Sequence, residues 1–322
     1  MPVFQYANPP RILWGAGSVR ELPGLASRRV ALVTTRSLLE SRLPIEPVVT
    51  VTVAQHAPIA QVDEAVETAR QAGVDGVVSF GGGSPIDGAK IVALKLGIAH
   101  IAVPTTLSVA ELAAGAGFTD ETGTKSGLRD PGLLPAAVIY DPELTLATPS
   151  ELWLSSGIRA LDHAVEGFLA EGEHPFNDVM ALESIRRLFR VLPATKADPR
   201  NVGCREDCQV AAWFSFTLPG ASASGLSHVM GKQIGARHGI PHGVTSCLLL
   251  PHVMRFLATK QPARVAALGV TPDDVALLIH DLGLPQHIAR YGIGEPELRR
   301  AAEELAGRYT AEDLWQIYTA AL

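Results

Sequence analysis

The sequence has little cysteine and no long apolar run. Its three cysteines, Cys204, Cys208 and Cys247, are too few for a disulfide framework, which fits a reducing cytosol. Cys204 and Cys208 lie one helical turn apart and are predicted to be packing residues. No apolar stretch reaches the roughly 18 residues that a membrane span needs, and the N-terminus lacks the pattern of a signal peptide. We therefore predict a cytoplasmic protein that does not associate with a membrane.

Charge is also sparse, since charged residues make up 19% of the chain and form no run of lysines or arginines. A formal net charge of −6 argues against a nucleic-acid partner or an anionic membrane surface. Hydrophobic residues at 47% are far from the composition of a disordered chain. A chain of 322 residues is long for one core. We predict two domains and a small-molecule substrate.

The first half alternates short β-branched runs with amphipathic segments, which is typical of strand and helix units in a mostly parallel sheet. Between two of these runs, apolar residues from Val62 to Ala72 follow helical spacing. The predicted strands cover residues 30–35, 48–53, 76–81, 100–105 and 136–141. This pattern predicts a doubly wound, nucleotide-type α/β domain.

The second half contains long helix-compatible stretches rich in alanine and leucine, with no clear alternating strand. Pro142 and Pro149 mark the change of character. We predict an α/β domain over residues 1–148 and an all-helical domain over residues 149–322.

A glycine turn at the end of one predicted strand is the first candidate site. Gly81, Gly82 and Gly83 have no β-carbon, so their backbone N–H groups can approach a ligand closely. The helix that follows directs its positive end at the same point, which favours a phosphate. Ser84 adds a hydroxyl, and Asp87 either accepts from a ligand or complements the helix dipole. The alternative is a plain strand-to-helix turn, because the run matches neither standard phosphate-binding motif.

Hydroxyl side chains follow the next predicted strand. Thr105 and Thr106 lie at its carboxyl end, where ligands bind in open α/β sheets. Ser108 continues the same run. Threonines after a proline are also common in turns, so this segment alone does not decide between a cofactor contact and a turn.

Basic residues and histidines recur in the helical half. Arg159 and His163 are four residues apart, as are His228 and Lys232, so each pair shares a helical face. His242 follows a Gly-Ile-Pro break. Three histidines that converge would form a metal or proton-transfer cluster. Separate core histidines are the alternative, because spacing along different helices does not show convergence.

Together these segments resemble the iron-containing (group III) alcohol dehydrogenase family, and within it the maleylacetate reductase branch. The likeness runs through RILWGAGS, GGGSPIDGAK, VPTTLSVAE, YDPELT, RALDHAVE and PHGVTSC. The resemblance implies a Rossmann-like N-terminal domain and an all-helical C-terminal domain, an architecture shared with dehydroquinate synthase-like enzymes. It also implies a nicotinamide cofactor between the domains and a homodimer. The implied activity is NAD(P)H-dependent hydride transfer to a carbonyl or activated alkene of a small carboxylate-bearing substrate.

The resemblance also assigns cofactor contacts. It implies that Gly82, Gly83 and Ser84 hold the pyrophosphate and that Asp87 contacts the cofactor. Thr105 and Thr106 match residues near the adenosine half, and Lys125 matches a lysine on the nicotinamide-side ribose; Gly81 and Ser108 complete this predicted set. The short VPTTLSVAE loop resembles the maleylacetate reductase form, which favours an unsaturated or keto acid.

The metal site departs from the family pattern. Metal-binding members use one aspartate and three histidines; the histidines match His163, His228 and His242, but the aspartate position holds Arg159. A guanidinium has no acceptor atom and repels a cation, so the four-ligand site is broken. Asp162 is a possible substitute ligand.

We therefore predict metal-free catalysis. Arg159 would stabilise an oxyanion or hold a substrate carboxylate, while His228, His242 and Lys232 would deliver a proton. A competing hypothesis is an alcohol or aldehyde dehydrogenase that binds iron or zinc through His163, His228 and His242. A third hypothesis is an NAD-binding lyase or cyclase of the dehydroquinate synthase-like type, and a fourth is a binding protein that has lost catalysis.

A second departure concerns the choice of cofactor. NAD-preferring members often carry an acidic residue after the first strand of the sheet, and the matching position here is Arg36. An arginine at this point can accept a 2′-phosphate, so NADH and NADPH both remain open. A solvated surface arginine is the alternative.

Overall fold

The computed structural model describes residues 8–172, 174–216 and 225–322. Within them the chain forms two compact units. One contains residues 8–148 together with Arg200–Trp213, and the other contains the described residues of 149–199 and of Phe214–Leu322.

The first unit is built on a six-stranded parallel sheet in the order β1-β8-β5-β4-β2-β3. Its strands are β1 (Ile12–Trp14), β2 (Val30–Thr34), β3 (Val49–Thr52), β4 (Gly76–Gly81), β5 (Ala99–Pro104) and β8 (Ala137–Tyr140). An antiparallel hairpin is formed by β6 (Gly115–Thr119) and β7 (Lys125–Arg129). Because β2, β4 and β5 are neighbours in the sheet, the residues that follow them lie at one edge.

The predicted α/β fold is confirmed, with each of the five predicted strands present within two residues of its expected ends. Three strands were not predicted. β1 is only three residues long, and β6 and β7 contain glycine and small polar residues rather than an alternating apolar pattern. Pairing with neighbouring chain segments, rather than local propensity, makes them strands.

The helices of the first unit are α1 (Leu22–Leu25), α2 (Ile59–Gln71), α3 (Gly83–Leu96) and α6 (Val202–Ser215). On α2 the predicted apolar face is buried, including Val62 and Val66. Residues 200–213 were predicted to belong to the second domain, but they pack with the first unit. Trp213 packs against a buried cluster of Ala102, Val138 and Tyr140, and Arg205 Nη1 donates to the carbonyl oxygen of Thr145 at 2.8 Å.

All elements in the described part of the second unit are helical, as predicted. They are α4 (Ser150–Phe168), α5 (Pro175–Ala197), α7 (Leu226–His238), α8 (His242–Lys260), α9 (Pro262–Ala266), α10 (Pro272–Leu282), α11 (Glu295–Leu305) and α12 (Ala311–Ala320), with short 3₁₀ segments. The central helix is α4, which is almost completely buried from Trp153 to Phe168 and packs against α5 and α8. Among the described helices, none combines the length and apolar character needed to cross a membrane.

A neutral histidine is buried in the central sheet. His100, on β5, has its Nε2 atom 2.8 Å from the hydroxyl of Ser79 on β4. Burial, with a smaller contribution from the positive charge of Lys90, lowers the pKa of His100 to about 3. In the unfolded chain the same imidazole binds a proton near its ordinary pKa of about 6.5.

This difference predicts a loss of stability in acid. Between about pH 6.5 and pH 3 the unfolded state binds more protons at this site, so the free energy of unfolding falls as pH falls, by about 1.4 kcal/mol per pH unit. In His100→Gln, which keeps a hydrogen-bonding group beside Ser79, this contribution is absent. Urea unfolding at pH 7, 6 and 5 measures the difference in slope; equal slopes for the variant and the native protein would contradict the assignment.

Candidate functional site

The first group of candidate residues surrounds the turn between β4 and α3. Gly81 has a φ of +144°, and a β-carbon there would lie 2.7 Å from Pro85 Cγ. A β-carbon on Gly82 would lie 3.1 Å from Thr106 Cγ2. Only glycine lets this backbone turn so sharply and approach the next strand end so closely. The N–H groups at the start of α3 therefore lie at a turn that carries no β-carbon, as expected of a phosphate site.

Two buried hydroxyls adjoin this turn. The backbone N–H of Thr105 donates to the carbonyl oxygen of Gly81 at 2.9 Å, which fixes the end of β5 beside the turn. Thr106 Oγ1 and Ser108 Oγ are buried and have no hydrogen-bond partner among the described residues. A β-carbon on Gly83 would lie 3.4 Å from Ser108 Oγ.

Leaving buried hydroxyls unsatisfied costs free energy, so a polar ligand beside the glycine turn would stabilise this arrangement. By chemistry the residues fit the diphosphate of a dinucleotide: backbone donors, a helix N-terminus, and two buried hydroxyls with no hydrogen-bond partner among the described residues.

His56 joins this group, although no sequence motif singled it out. Its backbone N–H donates to Ser84 Oγ at 2.9 Å, which leaves the serine proton available for a ligand. His56 has a φ of +68°, in the left-handed region that histidine adopts infrequently. Burial, and then the positive charge of Lys125, lower the pKa of the imidazole, which places Lys125 near this end of the turn.

Asp87 and Arg36 have different surroundings. Asp87 Oδ2 accepts from the backbone N–H of Gly117 at 3.0 Å, and Asp87 Oδ1 lies 3.6 Å from Lys90 Nζ. Burial raises the pKa of Asp87. In the structure this carboxyl group therefore ties β6 to α3, and a contact with the cofactor stays a prediction. Arg36 is exposed just after β2, at the same edge of the sheet as the glycine turn.

The second group lies on one face of α4, where Arg159, Asp162, His163 and Glu166 follow helical spacing. Only 2% of Arg159 is exposed. Its Nη1 atom donates to Asp162 Oδ2 at 2.8 Å and to Ser246 Oγ, on α8, at 3.0 Å. Its Nε and Nη2 atoms are buried and have no hydrogen-bond partner among the described residues.

Asp162 anchors this arginine. Its Oδ2 atom also accepts from Ser246 Oγ at 2.6 Å and from Ser227 Oγ at 3.0 Å. Burial raises the pKa of Asp162, and the positive charge of Arg159 opposes this shift. One edge of the guanidinium is therefore held by the protein, while the buried edge formed by Nε and Nη2 has no partner among the described residues and matches a planar two-oxygen acceptor in geometry and charge.

The three predicted histidines lie side by side. The ring centres of His163 and His228 are 5.8 Å apart, and those of His228 and His242 are 5.0 Å apart with the rings nearly perpendicular. Burial and the positive charge of Arg159 lower the pKa of His163 well below its ordinary value. The ring of His163 is therefore neutral at physiological pH.

Glu166 is a further member of the cluster that sequence analysis did not select. One of its carboxylate oxygens and one nitrogen each of His163 and His228 lie within 4.8 Å of one another. Glu166 Oε1 accepts from the backbone N–H of His228 at 2.9 Å. Burial, and then the negative charge of Asp162, raise the pKa of Glu166 well above its ordinary value. Its position three residues after His163, on the same helical face, was the available signal.

Whether the site fits a metal ion depends on which of these side chains can act as ligands. The predicted set of three histidines lacks its carboxylate because Arg159 occupies that position, and Asp162 Oδ2 is bound to Arg159 and two serines. Imidazole nitrogens with one carboxylate suit iron or zinc by donor type. Within the described residues, the set that fits is therefore His163, Glu166 and His228.

Lys232 lies one turn after His228 on α7 and is exposed. The partly buried position expected for a proton-delivering lysine is not found there, so His228 and His242 are the better placed candidates. His242 is the first residue of α8, and both rings are partly buried.

Comparison with known proteins defines the class. The model of the family described as "Iron-containing alcohol dehydrogenase" matches residues 9–142, and the model described as "Fe-containing alcohol dehydrogenase family, C-terminal" matches residues 153–312. The chain belongs to the iron-containing alcohol dehydrogenase family. It is an enzyme, an oxidoreductase that uses a nicotinamide cofactor.

The relatives named here are maleylacetate reductases. The chain is 34% identical to maleylacetate reductase of Sphingobium indicum over 91% of its own length and 88% of the relative's. It is 33% identical to that of Rhizobium sp. strain MTP-10005, over 94% and 91% of the two lengths. The crystal structure of maleylacetate reductase from Agrobacterium tumefaciens superposes with a TM-score of 0.90 at 31% identity, over 100% of this chain and 99% of the other.

Proposed function

We propose that this enzyme reduces maleylacetate, or a closely similar unsaturated keto acid, with NADH or NADPH and without a metal ion. The observation that carries the proposal is the edge of Arg159 that has no hydrogen-bond partner among the described residues, a buried pair of N–H donors close to the histidine cluster. The names of the relatives support the same substrate class.

The bound substrate would be oriented by its charge. Two oxygens of a carboxylate match the Nε and Nη2 donors of Arg159 in a bidentate pair, which is stronger and more directional than a single hydrogen bond. Asp162 and Ser246 hold the other edge of the guanidinium and Ser227 in turn holds Asp162, so little side-chain freedom is lost when the substrate binds. Burial strengthens the electrostatic attraction because little water screens it.

The dinucleotide would be held at the glycine turn by the N-terminus of α3, Thr106 and Ser108. When bound, its reduced nicotinamide supplies the hydride to an alkene or carbonyl of the substrate. His228 and His242 are the candidates for delivering the accompanying proton, since an imidazole titrates near neutral pH. The neutral ring of His163 packs beside them and adds no positive charge.

Arg36 is the residue that would distinguish NADPH from NADH. Its exposed guanidinium follows β2, where a 2′-phosphate would find a positive partner. NADPH is therefore included with NADH in every assay of the proposed activity.

The arrangement of His163, Glu166 and His228 favours a second candidate, a metal-dependent alcohol or aldehyde oxidoreductase. These three side chains would hold the cation. An iron or zinc ion in this place would act as a Lewis acid on a substrate oxygen.

Chelation separates the two candidates. We expect enzyme dialysed exhaustively against EDTA to retain nearly all of its activity with maleylacetate, because Arg159 supplies the positive charge. The measurement is steady-state loss of reduced nicotinamide absorbance, together with the metal content of each protomer before and after dialysis. Activity that disappears on chelation and returns with Fe²⁺ or Zn²⁺, but not Mg²⁺, would establish the metal-dependent enzyme instead.

A further inference from the structure

The ammonium group of Lys90 is fully buried in the first unit, on α3. Its Nζ atom donates to three backbone carbonyl oxygens: that of Ala110, that of Ala113 at 2.9 Å and that of Gly115 at 2.7 Å. An ammonium group has three hydrogens, so these bonds use its whole donor capacity. A buried ammonium group satisfied by backbone oxygens holds that stretch of backbone firmly, since breaking the contacts would leave its N–H groups without acceptors, although the carboxylate of Asp87 lies 3.6 Å away.

The segment held by Lys90 directly follows the two hydroxyls beside the glycine turn. It consists of a 3₁₀ segment (Ala110–Leu112) that leads into β6. Glu111 provides a second attachment, because its Oε1 atom accepts from the hydroxyl of Tyr140, on β8, at 2.7 Å. Ser108 is therefore two residues from a backbone oxygen that Lys90 binds.

The backbone between Ser108 and this segment is strained. Val109 has a φ of +55° and is buried. The left-handed region is a genuine outlier for a β-branched residue, and such a conformation persists only where surrounding contacts impose it. Lys90 and Glu111 supply these contacts on the C-terminal side of Val109.

The glycine turn and Lys90 belong to the same helix, α3. The N-terminus of α3 forms the glycine turn, and Lys90 projects from the same helix two turns later. The helix therefore carries both the backbone donors for a phosphate and the cation that holds the hydroxyl-bearing loop against them.

We propose that Lys90 is a positioning residue for the cofactor, because it holds residues 109–115 so that the hydroxyls of Thr106 and Ser108 face the dinucleotide. This inference rests on the dinucleotide site proposed above. Lys90 does not touch the cofactor; it acts through the loop.

The test is a double-mutant cycle on cofactor affinity. We expect Lys90→Met to raise the Kd for NADH and NADPH about tenfold, the effect of losing about one charge-assisted hydrogen bond, while kcat at saturating cofactor stays within about twofold. When Lys90→Met is added to the double variant Thr106→Val/Ser108→Ala, it should raise the Kd less than about threefold further, because the hydroxyls that Lys90 positions are already absent. Fluorescence titration gives Kd, and steady-state kinetics give kcat.

Lys95→Met is the matched control. Lys95 lies on the same helix, is exposed and pairs with Asp63 at 2.6 Å. Its replacement should leave Kd unchanged. Additive effects of Lys90→Met and the hydroxyl substitutions would overturn the inference, since they would show that Lys90 acts on the fold in general.

A second variant covers the case in which Lys90→Met does not fold. Val109→Gly keeps the buried charge but lets the backbone leave its strained conformation, so we expect a similar increase in Kd at unchanged kcat. A native Kd in this variant would also overturn the inference. If the native enzyme itself binds neither nucleotide, the dinucleotide site is wrong; if it binds and Lys90→Met binds equally well, only the role of Lys90 is wrong.

Discussion

Replacing Arg159 by lysine should lower kcat/KM for maleylacetate by about 10²–10³-fold, while the Kd for the reduced nucleotide changes less than about twofold. Lysine keeps a positive charge in this position but lacks the planar fork, so it cannot form the bidentate pair with a carboxylate. The effect falls on the substrate because Arg159 lies in the helical unit, whereas the predicted cofactor contacts belong to the sheet-based unit.

Arg159→Ala should lower turnover at least as much, but it also leaves the buried carboxyl group of Asp162 without its cationic partner. Breaking a buried ion pair in this way costs about 3–5 kcal/mol of stability. The lysine variant is therefore the cleaner test, and thermal unfolding of both variants shows how much of each effect comes from the fold.

Two controls sharpen the Arg159 experiment. Arg255→Lys changes an exposed arginine of the same unit, paired with Asp273 at 2.6 Å, and should have native kinetics. A neutral aldehyde without a carboxylate should be reduced at similar rates by the native enzyme and by Arg159→Lys. If the lysine variant lost equal activity on both substrates, Arg159 would not be recognising the carboxylate.

Replacing Gly82 by valine should raise the Kd for NADH and NADPH by about 100-fold, the cost of about two lost hydrogen bonds to a charged phosphate. Gly82 has an ordinary φ of −83°, so a side chain causes no backbone strain there. Its β-carbon would instead lie 3.1 Å from Thr106 Cγ2 and 3.2 Å from Thr106 Oγ1, in the space assigned to the diphosphate.

Gly24→Val is the control for this substitution. Gly24 lies on α1 of the same unit, and a β-carbon there would meet no atom within 4 Å. Isothermal titration calorimetry with each nucleotide measures the affinities. Native affinity in Gly82→Val would show that the turn does not hold the cofactor.

Most of the sheet could be predicted because its strands carry their signal locally, as β-branched runs that alternate with amphipathic helices. The same holds for the glycine turn, whose conformational freedom is a property of the residues themselves. β1 could not be predicted because its three residues become a strand only by pairing with the distant β8, and β6 and β7 could not because their sequences, rich in glycine and small polar residues, lack an alternating apolar pattern. Residues 200–213 were predicted to belong to the second domain but pack with the first unit. A helical pattern does not indicate which unit the helix packs against.

The sequence by itself determined an α/β unit followed by helices, and the glycine turn, because each is expressed in residues close together in the chain; that Arg159 stands in place of a metal-binding aspartate came from the family resemblance. Only the tertiary structure decided which groups surround that arginine. Ser246 is 87 residues from Arg159, and Ser227 is 65 residues from Asp162. Hydrogen bonds between such distant residues depend on how the helices pack, and local periodicity contains no information about that packing.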